Sequence, residues 1–190
     1  MTVLRCTAKL LKRLNQPAKP PEPEPQLNPL GEWYADIDSW QRQPFVVMLN
    51  VATGLVLVLP GNAVGLRRLN ERALLQFASL CENFDLRGPG VDAELRGFDA
   101  GFAYDAARDR SVLASLNQRK TEVWMQFEYN ILSPEEAAAR EWDGLYKHPA
   151  LGRNTHVNID CHRPLNLARQ RLVPAGNVVP FPQPPAPGVN

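Results

Sequence analysis

The chain has 190 residues, 44% hydrophobic and 22% charged, which fits one folded core and excludes an unfolded or fibrous chain. Its 21 basic and 20 acidic residues leave a net charge of +1, which argues against a strongly basic nucleic-acid binder and against an acidic solvating chain. The 18 prolines are in excess and uneven, with six in Gln16–Pro29 and eight in Leu145–Asn190. In chain order, Thr2–Cys6 reads as a short strand, followed by a helix Ala8–Leu14 capped by Thr7 with Leu10, Leu11 and Leu14 on one face. Gln16–Pro29 reads as a stiff, extended linker, because proline fixes φ and lacks a backbone donor. Glu32–Asp38 alternates with the two-residue period of a half-buried strand, Trp33, Ala35 and Ile37 against Tyr34, Asp36 and Asp38. Phe45–Asn50 and Leu55–Leu59 form a hairpin around Gly54, both apolar on both faces and so expected at the centre of the sheet.

Gly61-Asn62 then opens a helix whose apolar positions run from Leu66 to Cys81 at helical spacing. Arg87–Gly90 is a break, Val91–Arg96 one or two helical turns, and Gly101–Tyr104 an edge strand. Asp109 caps a helix to about Asn130, with an inner face of Val112, Leu116, Val123 and Phe127. Ser133-Pro134-Glu135-Glu136 starts a further helix by a capping box, ending near Asp143–Tyr146. Beyond it only His156–Cys161 has strand character. The expectation is an α+β fold, a small mainly antiparallel sheet with two or three helices on one face. The compact unit covers Leu30–Tyr146, with Met1–Leu14 tethered to it. Residues 1–146 then count as one domain with the 16–29 linker inserted, and 147–190 as an extended Pro-rich basic tail.

Three cysteines, Cys6, Cys81 and Cys161, are scattered without a CxxC pair, which fits a reducing compartment. Charged residues interrupt the apolar N-terminus, so no secretory signal is read there. The apolar run Phe45–Leu59 is too short to span a bilayer. The expected location is the cytoplasm, without membrane association.

Three segments in order are familiar: LRCTAKL at Leu4–Leu10, PLGEWYAD at Pro29–Asp36 and DRSVLASLN at Asp109–Asn117. The set resembles DUF6933, a family of small bacterial proteins classed as a domain of unknown function. The resemblance covers about residues 1–130. Tyr34 stands where the family pattern has histidine, Asp36 where it has asparagine and Ala114 where it has glycine; the Pro-rich linker looks like an insertion. The resemblance implies a fold unit and brings no mechanism.

The matching segments supply one ligand-site candidate: Tyr34, Asp36, Asn50, Arg110, Ser111 and Asn117. Arg110 and Ser111 fall at a helix start, where free N–H groups and the helix dipole attract anions, and guanidinium forks suit carboxylate or phosphate. The competing explanation pairs Arg110 with Asp36 or Asp105. A second set gathers His148, His156, Asp160, Cys161 and His162, donor types that suit borderline metals but at a spacing matching no metal signature. Cys161 beside His162 makes a poor nucleophile pair, because neighbours on an extended chain point apart. A third set is the basic tail, Lys147, Arg153, Arg163, Arg169 and Arg171 against Asp160 alone, able to hold phosphates by counterion release. The ending PFPQPPAP at Pro180–Pro187 matches ligands of aromatic grooves, or folds back through Phe181.

No nucleophile, base and orienting group assemble from spacing, and no cofactor is expected. The sequence therefore favours a non-catalytic binding or interaction module with a small anion- or peptide-binding pocket, and a protein partner or second copy. The alternatives are a phosphate-handling enzyme (nuclease or transferase) centred on Arg110, Ser111 and Asp36, and an assembly protein or nucleic-acid binder using its tail.

Overall fold

A computed structural model describes residues 1–23, 28–156 and 158–173. Five strands form one sheet in the order β4-β3-β2-β1-β5. These are β1 (Thr2–Cys6), β2 (Trp33–Trp40), β3 (Gln43–Asn50), β4 (Val56–Pro60) and β5 (Phe102–Ala106). The β2–β3 and β3–β4 pairs are antiparallel, whereas β1 runs parallel to both β2 and β5. The class is α+β, with a mixed sheet. Met1–Leu14 is therefore no tethered appendage: β1 lies inside the sheet, with Leu4 and Cys6 fully buried.

Among the described residues seven helices surround the sheet: α1 (Ala8–Arg13), α2 (Ala63–Arg67), α3 (Leu69–Asn83), α4 (Pro89–Asp99), α5 (Arg110–Tyr129), α6 (Pro134–Asp143) and α7 (Pro164–Leu172). The caps are local chemistry. The Thr7 hydroxyl accepts from the Leu10 N–H, Asp109 accepts from the Ser111 and Val112 N–H groups, and Ser133 with Glu136 closes a capping box. Helices cover both faces of the sheet, not one. Trp33 packs on Phe77 of α3 and Phe98 of α4. On the opposite face Phe45 packs on Phe127 of α5. Parallel neighbours need crossovers, and crossovers place helices over a sheet. Hairpin spacing alone did not show that β1 joins in parallel.

Both-face coverage explains why β3 and β4 are apolar on both faces. It does not make β4 central, for β4 is an edge strand. Its free edge is sealed by side chains: the Gln76 amide donates to Val58 O at 2.8 Å and accepts from Val58 N at 2.7 Å. The Trp142 indole donates to Val56 O at 2.7 Å, between Phe77 and Phe84. An exposed apolar edge would template aggregation, and α6 with Gln76 removes it.

The expectation of an extended tail from residue 147 is corrected for the described part. Tyr146 bridges to His162, donating at 2.8 Å and accepting at 2.7 Å. Then α7 buries Leu165, Ala168 and Leu172 against α4 and α6. The Pro180–Pro187 motif and Phe181 lie outside the described residues. No helix among the described residues is long and apolar enough to cross a membrane.

Candidate functional site

The six residues first singled out do not form one pocket. Tyr34 and Asp36 share a buried sheet face, whereas Asn50 pairs in register with Trp33 and lies on the other. Asn50 is a structural clamp. It donates to Leu30 O at 3.0 Å and Glu32 O at 3.2 Å, and it accepts from the Thr53 hydroxyl at 2.7 Å. Opposite it, buried Glu94 accepts from the Leu30 N–H, the Asn28 amide and the Trp33 indole, all at 3.0–3.1 Å. Burial raises the Glu94 carboxyl, and those donors oppose the rise. The Pro29-Leu30-Gly31 turn is thus gripped from both sides.

Asp36 accepts from Lys120 of α5 and from the Thr7 hydroxyl. Asp105 binds Arg5, and Arg108 at 3.1 Å. Arg5 also forks onto Glu32 with two contacts of 2.7 Å. Arg110 pairs with neither Asp36 nor Asp105: it is exposed, as is Asn117. The buried Tyr34 hydroxyl lies against the Asp109 backbone, and burial raises its pKa.

Position 119 interrupts the inner face of α5. Arg119 is 1% exposed, flanked by the predicted core residues Leu116 and Val123. Its guanidinium binds Glu141 and, at 2.8 Å, Glu122, and stacks 4.2 Å over the Tyr146 ring. Nε and the second terminal nitrogen have no hydrogen-bond partner among the described residues, so the ring face takes their place. Burial pushes the Glu141 carboxyl up to about 7 although Arg119 opposes it. The Tyr146 ring lies over Gly54, whose φ of +79° and lack of a Cβ are both required there. The signal for this cluster was a cation at an apolar heptad position.

Outside that sealed layer lies an open cavity of about 500 Å³. Ser111, Ser115 and Gln118 of α5 form one wall, and Lys147, His148 and Arg153 the other. Ser111 came from the first candidate set, His148 from the second and the two cations from the third. The segment that follows the Tyr146–His162 bridge point brings Lys147, His148 and Arg153 beside α5 and joins them. Arg153 is held by two bonds to Asn158 O at 2.7 and 3.2 Å. His148 is buried and accepts from Ala150 N at 3.1 Å through Nδ1, and burial lowers its pKa. The positive charge therefore comes from Lys147 and Arg153. Asp160 also lines the cavity, and none of these three makes an ion pair among the described residues.

His156 is exposed, and the His162 ring is tied to Gly152 O at 2.8 Å. Among the described residues no three His, Cys, Asp or Glu side chains converge as a metal site. Arg163 is engaged by Asp143 at 2.6 Å and Arg169 by Phe84 O at 3.2 Å, while Arg171 stays exposed. Cys6 and Cys81 are buried, and burial lifts both thiols, Cys81 to about 12.

Searches of curated proteins and of solved structures returned no match. The family model described as a domain of unknown function, DUF6933, matches residues 3–149, past residue 130 and through the first half of the cavity's second wall. That span takes in the five strands but for Thr2, the helices α1–α6 and His148, and the chain belongs to the DUF6933 family.

Proposed function

We propose that this protein is a non-catalytic binding module that takes a small carboxylate- or phosphate-bearing ligand, or the acidic end of a peptide, in the cavity between α5 and residues 147–153. One observation carries the reading: Lys147 and Arg153 line one cavity with Ser111 and Ser115, and neither cation makes an ion pair among the described residues. An anion there gains charge-assisted hydrogen bonds, and the neutral His148 gives the wall shape without charge. The enzyme alternative draws no support, because Asp36 is committed to Lys120 and Thr7, away from Arg110. Free cysteines and the family resemblance favour the bacterial cytoplasm as its place of action. A protein partner with an acidic terminus fits the same chemistry.

Calorimetric titration of the full chain with inorganic phosphate, a nucleoside monophosphate and an acidic peptide tests this. The double substitution Lys147→Ala, Arg153→Ala is expected to weaken the best of these about tenfold. Equal affinity in the double variant overturns the proposal.

A further inference from the structure

A second cationic region lies at the turn end of the β2–β3 hairpin, beside α1. Lys9 and Arg13 stand one turn apart on α1 and line a cavity of about 320 Å³ with Arg42 of the hairpin turn. Arg13 also lines an adjoining cavity of about 250 Å³, whose other cation is Arg67 of α2. All four are exposed, and none makes an ion pair among the described residues. Asp38 is the acid of the larger cavity, and it is drawn elsewhere: it accepts from Ser39 N at 2.9 Å and sits 3.8 Å from Lys120.

Two local costs converge on this groove. Like charges at i and i+4 on a helix repel, and no acidic residue in the first turn of α1 relieves Lys9 and Arg13. The β2–β3 turn places Gln41 at φ +46° and Arg42 at φ +65°, left-handed positions that hairpins ordinarily give to Asn and Gly. The dipole at the C-terminal end of α1 accounts for Arg13. It accounts for neither Lys9 nor Arg42. An anion with several charges relieves the repulsion and uses the strained arginine.

We infer that the groove binds a short chain of linked phosphates, bridging the two cavities through the shared Arg13. Guanidinium forks match phosphate oxygens two at a time, and one phosphate alone reaches only one cavity. Among the described residues the apolar lining is aliphatic (Ile37, Pro44, Leu14, Ala63, Leu66) and offers no aromatic platform on which bases stack. That favours a compact polyphosphate over a single-stranded nucleic acid.

The test is calorimetry with sodium tripolyphosphate on the full chain carrying Lys147→Ala and Arg153→Ala, which silences the other cavity. Single-site binding is expected, with tripolyphosphate ahead of pyrophosphate and pyrophosphate ahead of phosphate. It should weaken about tenfold when salt rises from about 50 to about 300 mM. Adding Arg13→Ala or Arg42→Gly should each cost about tenfold in affinity. Arg42→Gly also relaxes the turn, so its melting temperature should hold or rise while binding falls. No tripolyphosphate binding in this background overturns the inference. So does affinity unchanged by Arg13→Ala and Arg42→Gly, or an oligonucleotide that binds and that tripolyphosphate does not displace.

Discussion

Beneath α5 the charges are paired and largely shielded from water, whereas above its N-terminal half two cations stand open in a cavity. Arg119 spends its charge on Glu141, Glu122 and the Tyr146 ring, and Asp36 spends its own on Lys120 and Thr7. Lys147 and Arg153 line their cavity without such a partner among the described residues. The two regions share side-chain types and differ in desolvation. A buried charge must find its complement inside the fold, because leaving it unpaired costs several kcal/mol. An exposed cation is stabilised by water and is free to exchange that water for a ligand. Partnering, more than residue type, separates groups that hold this fold from groups available to bind.

The contrast predicts a graded set of effects. Removing the side chain that seals the sheet edge should matter most: Trp142→Ala leaves a large void and frees Val56 O, and should lower the unfolding free energy by about 3–5 kcal/mol in urea titration. A loss under ~1 kcal/mol would mean that the edge is not sealed by α6.

Next comes the sealed charge cluster. Glu141 holds its proton up to about 7 in the folded protein, against an ordinary 4.5. Between those values the folded state binds the proton and the unfolded chain has released it, so stability falls as pH rises through that window. Glu141→Gln should flatten this part of the stability–pH curve, by an amount on the order of 1–3 kcal/mol between pH ~4.5 and ~7. A slope identical to that of the native chain would place the titration elsewhere.

Asp36→Asn weakens the link to Lys120, which retains some solvent, and should cost about 1–2 kcal/mol by the same urea measurement. The smallest effect on stability belongs to the open region. Lys147→Ala with Arg153→Ala should change the unfolding free energy by less than ~0.5 kcal/mol while losing anion affinity. A large destabilisation there would erase the distinction between the two regions.

Much of the fold was legible because its signals are local. The capping residues Thr7, Asp109 and Ser133 announce their helices through hydrogen bonds made within three residues. The period-two alternation of β2 separates Trp33 from Tyr34 and puts them on opposite faces of the sheet. One long periodic segment divides at Arg68 into α2 and α3, a break that hydrophobic spacing does not register. The α7 helix carried a usable sign, Leu165, Ala168 and Leu172 at helical spacing behind Pro164. It lacks a side-chain cap, and the prolines around it obscured the pattern. At Arg119 the helical period pointed inward, but a cation at such a position reads as a surface residue until Tyr146 and Glu141 are seen to enclose it.

The site was legible in pieces. Ser111, His148, Lys147 and Arg153 each stood out for a separate reason, and nothing in their spacing joined them. Asp36 and Arg110 looked like a pair on charge alone, yet Lys120, ten residues further along α5, reaches the carboxylate.

The linear order of residues determined the helix starts, the strand alternation and the both-face apolarity of β3 and β4, because all these rest on neighbours a few positions apart. Only the three-dimensional arrangement decided that β1 enters the sheet in parallel, that β4 is a sealed edge, and which charges are paired and which are left in cavities. Those outcomes depend on contacts between residues up to about a hundred positions apart, as between Arg5 and Asp105, and on how much water each contact excludes.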